Sequence, residues 1–162
     1  MPLDGFVEAL APLFEGAPQF LARLAGDRPF SSYADLWPRS LRVARALPEA
    51  EQLELINAHP RLGAPPTTVS ALSFREQGYA REAAQAEAKR VATELERLNA
   101  AYEARFGFRF CVFVDGRSRA ALLPVIAAAL EADRATELRR ALGDVIAIAA
   151  DRARVLALGA AQ

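Results

Sequence analysis

The chain of 162 residues is long enough for one domain that buries roughly two-thirds of its surface on folding. Hydrophobic residues make up 52% and charged residues 25%, and 20 basic side chains balance 20 acidic ones, which argues against binding nucleic acid or a membrane surface by charge. The single cysteine, Cys111, excludes an internal disulfide framework and a cysteine-based zinc site, and the single histidine, His59, excludes any site that needs two.

No apolar run is long enough for a membrane span, and the start MPLDGFVEAL lacks the basic and apolar stretches of a secretory signal. The expectation is a soluble protein of a reducing compartment. Alanine is the commonest residue and 19 of the 20 basic side chains are arginine, both good helix formers. Asp4 is placed to cap a first helix through Phe6, Val7, Leu10, Leu13 and Phe14, with Gly16 ending it. Pro18 opens a second, with Phe20, Leu21 and Leu24 on its apolar face, closed by Gly26 and Pro29. Ser32 caps a third through Leu36, Leu41, Val43 and Leu47, where Pro38 predicts a kink or break. Pro48 opens a fourth containing Leu53, Leu55 and Ile56. The stretch HPRLGAPPTTV, 59–69, is a loop by its prolines and glycine. Ser73 restarts helix, and an alanine-rich stretch runs to Ala104 with Val91, Leu95, Leu98 and Tyr102 on one side. Residues 106–116, FGFRFCVFVDG, read as a buried connector, since a short strand there has no partner. Helices over Ser118–Leu130 and Ala135–Leu158 complete an all-α, single-domain bundle of about seven to nine helices over 1–162.

Four places could carry chemistry. His59 has the only side chain with an ordinary pKa near neutrality, about 6.5, and Pro60 restricts its backbone to extended angles, which directs the imidazole. It is either an acid–base group on a rigid loop or a histidine at a helix C-terminus interacting with the dipole. Ser73 and Glu76 fit a capping box. With Gln77, the same helix start would also offer a carboxylate, an amide and backbone N–H groups to a small polar substrate. Phe106, Phe108 and Phe110 suit a core, while Gly107 permits a special backbone and the connector's backbone groups could meet a ligand. Arg152, in the apolar C-terminal helix, is a surface arginine by default; turned inward it needs an anionic partner, from protein or substrate.

AHPRLG at 58–63, SALSFREQ at 70–77, LNAAYEARFGFRF at 98–110 and the ELRRAL…ADRARVLAL tail together resemble the OHCU decarboxylase family across nearly the whole chain. Each motif alone is weak; their order and spacing in combination are specific. That family acts on 2-oxo-4-hydroxy-4-carboxy-5-ureidoimidazoline in urate degradation. The resemblance implies an all-helical fold, a homodimer, a small-molecule substrate, and neither metal nor organic cofactor. By position it makes His59 and Glu76 the catalytic pair, and Pro60, Ser73, Gln77, Phe110, Val112 and Arg152 substrate-binding residues, the last through an anionic or carbonyl oxygen. Arg109 stands where the family commonly has proline, and Arg61 where some members have aspartate. The chain ends AAQ, without the peroxisomal tripeptide of some relatives, which fits a cytoplasmic enzyme.

The resemblance implies a cofactor-independent decarboxylation that yields (S)-allantoin, because the substrate contains its own electron sink. Two other classes remain open: a non-enzymatic helical interaction module on the same fold, and an enzyme for a related ureido heterocycle.

Overall fold

The computed structural model describes residues 2–64 and 85–160. Among them, seven α-helices and one 3-10 turn follow in order and no strand occurs: α1 (Leu3–Leu10), the 3-10 turn Ala11–Phe14, α2 (Pro18–Gly26), α3 (Tyr33–Ala46), α4 (Glu49–Ala58), α5 (Gln85–Phe106), α6 (Arg119–Ala129) and α7 (Arg134–Ala160). The all-α expectation holds. Two compact units divide the chain, Met1–His59 with Arg139–Gln162, and Pro60–Leu138.

In the first unit α2 packs against α1, α3 and α4. Phe14, Phe20, Leu24, Leu55 and Ile56 are fully buried, as are Ala141, Val145 and Ala149 from α7. Helix α1 begins two residues earlier than a cap at Asp4 would place it. Pro2 holds the N-cap position and Asp4 lies within the first turn, where a carboxylate still favours the helix dipole. The expected single helix to Phe14 is instead an α-helix followed by a 3-10 turn, with Pro12 in the first turn of the latter.

Ser32 caps α3 as expected, its Oγ accepting from the Asp35 N–H at 3.2 Å. Pro38 does not break that helix, which continues to Ala46. One lost backbone hydrogen bond is outweighed by a face that buries Leu36, Ser40 and Ala44. At its far end Gln52 of α4 donates Nε2 to the carbonyls of Ala44 (3.3 Å) and Arg45 (3.0 Å), satisfying acceptors that a helix end leaves open.

The second unit is built on α5 packed against α6. Val91, Leu95, Leu98, Tyr102 and Phe106 form the buried stripe of α5. Gly107 ends that helix at φ +79°, its N–H donating to the Glu103 carbonyl, a conformation open to glycine without penalty. The following connector is buried and not extended into a sheet. Phe108, Phe110, Cys111, Val112 and Val114 are each less than a tenth exposed. Tyr102 organises it: its ring stands 4.6, 5.7 and 5.1 Å from those of Phe106, Phe108 and Phe110, and its hydroxyl donates to Glu137 Oε2 at 2.8 Å.

The loop at 61–64 is held to α5 by side chains one and two turns apart. Asn99 donates Nδ2 to the Leu62 carbonyl at 2.9 Å, and Arg61 reaches Glu96 at 2.6 Å and Glu103 at 2.8 Å. Gly63, at φ +81°, lies so close to Leu95 that an added Cβ would meet its side chain at 2.7 Å.

Candidate active site

Pro48 starts α4, Glu49 and Glu51 occupy its first turn, and the helix ends at Ala58. His59 is its C-cap at φ −71° and ψ 139°, the extended geometry that the following proline demands. The turn carries the imidazole inward, leaving His59 4% exposed. Its Nδ1 lies 3.3 Å from the Leu55 carbonyl. A carbonyl only accepts, so in the neutral ring Nδ1 carries the proton and Nε2 the lone pair. Burial, and then the positive charge of Arg152, hold the His59 pKa down to about 4; the Leu55 hydrogen bond and the Glu15 carboxylate act in the opposite sense. At neutral pH His59 is therefore a neutral imidazole, a base at Nε2 rather than a standing acid.

Arg152 points inward from α7 and is 1% exposed. The anionic partner required of an inward arginine is a protein carboxylate. Nη2 donates to Glu15 Oε1 at 2.8 Å, and Nη1 faces the carbonyls of Pro12 and Leu13, each at 3.3 Å. Those carbonyls belong to the 3-10 turn, whose C-terminal end leaves acceptors open and carries partial negative charge. The chain then turns through two left-handed residues, Glu15 at φ +51° and Gly16 at φ +79°.

The first unit thus holds His59, Arg152 and Glu15 in one electrostatic group. Sequence reasoning missed Glu15. Its only local signal is a carboxylate next to the glycine that ends a predicted helix. Phe110 (1% exposed) and Val112 (8% exposed) lie on the connector of the second unit, and Pro60 opens that unit's loop. Ser73, Glu76 and Gln77, with the predicted helix start at Ser73, lie outside the described residues. Arg61, where some family members carry aspartate, spends its charge on Glu96 and Glu103 of its own unit. Among the described residues no group of three or more His, Cys, Asp or Glu side chains is placed to hold a metal ion, and no helix is long and apolar enough to cross a membrane.

The sequence profile of the OHCU decarboxylase family matches residues 1–154. The chain is 33% identical over 152 residues to the 2-oxo-4-hydroxy-4-carboxy-5-ureidoimidazoline decarboxylase of Haloferax volcanii, covering 90% of this chain and 85% of that protein. It is 35% identical over 152 residues to the uric acid degradation bifunctional protein PucL of Bacillus subtilis, covering 92% of this chain but 30% of that protein; against such bifunctional relatives it spans under a third of their length. In fold it resembles the crystal structure of an OHCU decarboxylase in the presence of (S)-allantoin, with a TM-score of 0.72 at 21% identity, covering 91% of this chain and 96% of that one.

Proposed function

We propose that this chain, which belongs to the OHCU decarboxylase family, decarboxylates 2-oxo-4-hydroxy-4-carboxy-5-ureidoimidazoline to (S)-allantoin as a step of urate degradation. The observation that carries this reading is the family match over 1–154; the neutral, buried His59 beside a buried arginine supports it.

The substrate explains why so little machinery suffices. One ring carbon bears the carboxylate and the hydroxyl, and its neighbour is the carbon of a C=N bond. When the bond to the carboxylate breaks, its electron pair moves into the C=N, the nitrogen takes a proton and CO2 leaves. The hydroxyl then becomes a carbonyl as its proton departs, and the ureido-bearing carbon takes a proton in its place. Nε2 of neutral His59 is suited to accept the hydroxyl proton and to return a proton to one face of that carbon, which would set the S configuration. Glu76 orients His59. Arg152 meets a substrate oxygen with what its fork presents beyond Glu15. Ser73, Gln77 and Pro60, with the backbone at Phe110 and Val112, hold the ring and ureido amides. No metal or organic cofactor takes part. The same reading takes 1–162 as one family domain and the active form as a cytoplasmic homodimer.

The test generates the substrate in place, from urate with an oxidase and a 5-hydroxyisourate hydrolase, and follows circular dichroism. Wild-type chain should accelerate the appearance of (S)-allantoin over the background without it. His59→Asn should abolish that acceleration while its far-ultraviolet helix signal persists. No acceleration by the folded wild-type chain would refute the assignment.

A further inference from the structure

The proposed chemistry gives Arg152 a substrate oxygen to meet, yet the arginine is held by groups remote from it in sequence. Among the described residues, the acceptors its guanidinium meets include three supplied by one short segment: the Pro12 and Leu13 carbonyls and the Glu15 carboxylate. Two of these are backbone and come with the 3-10 turn whatever the side chains. Glu15 is the only ionised one of the three. Its side chain is 18% exposed against 1% for Arg152, and its backbone sits in the left-handed region at φ +51°. That region is uncommon for a residue with a Cβ, so the turn places this carboxylate at some conformational cost.

We propose that Glu15 is a positioning residue of the active site, whose carboxylate locks the Arg152 guanidinium against the end of the 3-10 turn and tempers the positive charge that Arg152 brings to His59. This rests on the functional reading above only for what the site acts on. The physical argument is independent of it. A buried guanidinium without a counter-charge is strongly unfavourable, and a planar fork with one edge on a carboxylate has its remaining donors aimed in a fixed direction. Among the described residues, the charged groups acting on His59 are Arg152 from α7 and Glu15 from the turn, and they act with opposite sign; the Leu55 carbonyl of its own helix is the third influence.

The experiment is a double-mutant cycle between Glu15→Gln and Arg152→Met with two readouts. The first is decarboxylation kinetics. Glu15→Gln keeps the shape and an acceptor but loses the charge, so kcat/KM should fall by about 10- to 100-fold. In the Arg152→Met background the same change should cost less than about twofold, because its partner is gone. The second readout is the imidazole resonance, which is unambiguous in a chain with one histidine. Its titration midpoint should rise in Arg152→Met and fall below the wild-type value in Glu15→Gln. A Glu15→Gln loss of equal size in both backgrounds, or a His59 midpoint that Glu15→Gln leaves unmoved, would overturn the proposal. Should the folded wild-type chain make no (S)-allantoin, the functional reading falls and the imidazole readout alone decides the role of Glu15.

Discussion

Nδ1 of His59 stands 3.3 Å from the carbonyl oxygen of Leu55, one turn earlier on the same helix. That contact makes the helix end itself choose the tautomer. A backbone carbonyl four residues back is unsatisfied at a C-terminus, and the imidazole both satisfies it and is fixed by it.

The pH dependence follows from this geometry. Burial first and Arg152 second hold the His59 pKa at about 4. A base that works neutral should keep kcat/KM level through pH 6 and lose it only as the pH falls toward 4. Stability moves in the same window. The unfolded histidine, with its pKa near 6.5, binds a proton more readily than the folded one. The contribution of His59 is therefore whole above pH ~6.5 and lost as the pH falls to the folded pKa, by about 3 kcal/mol in total. Urea unfolding across that range should show the decline, and His59→Asn should flatten it. An acid limb in kcat/KM near pH 6.5 would contradict the buried, neutral base.

Arg152→Lys should fail in two ways. Lysine keeps the charge but not the fork that reaches Glu15 and two carbonyls at once. Losing charge-assisted bonds in a buried place should lower stability by about 1.5–3 kcal/mol in chemical denaturation. KM should rise as well, and kcat should fall if charge builds on the bound oxygen in the transition state. A variant with wild-type stability and kinetics would reduce Arg152 to a bystander.

Glu76→Gln separates catalysis from capping. Glutamine serves in a capping box nearly as well as glutamate, so a purely structural Glu76 would leave the rate unchanged. As the group that orients His59, its loss of charge should lower kcat about 10²- to 10⁴-fold with the melting temperature little altered.

Chelation should leave activity unchanged. With one histidine and one cysteine in the chain, a resident ion would have to take most of its ligands from carboxylates. The assay is turnover after extended dialysis against a strong chelator. Activity lost there and restored by a divalent cation would contradict a reaction that relies on the substrate's own electron sink.

What the amino-acid order determined by itself was the set of local events. Ser32 and Ser118 cap helices because each hydroxyl needs only the N–H three residues on, at 3.2 Å in both cases. Pro60 holds His59 extended because the clash is between neighbours. The phenylalanines of the connector were legible as core because an apolar run that cannot form a sheet must still be buried, and Tyr102 and Phe106 lie on the adjoining helix. Of the two outcomes local rules allow at Pro38, a kink or a break, the break does not occur, because burial of one face of α3 outweighs a missing hydrogen bond. Tertiary structure alone decided the charge on His59 and the direction of Arg152. The Arg152–Glu15 pair is separated by 137 positions and depends on a left-handed turn that no spacing announces. The pKa of His59 depends on how much water the packed helices exclude and on a guanidinium brought near it by α7. Capping, tautomer choice and helix ends act over a few bonds and can be read along the chain; desolvation and long-range charge arise only when distant segments pack, and here they set the protonation state of the proposed base.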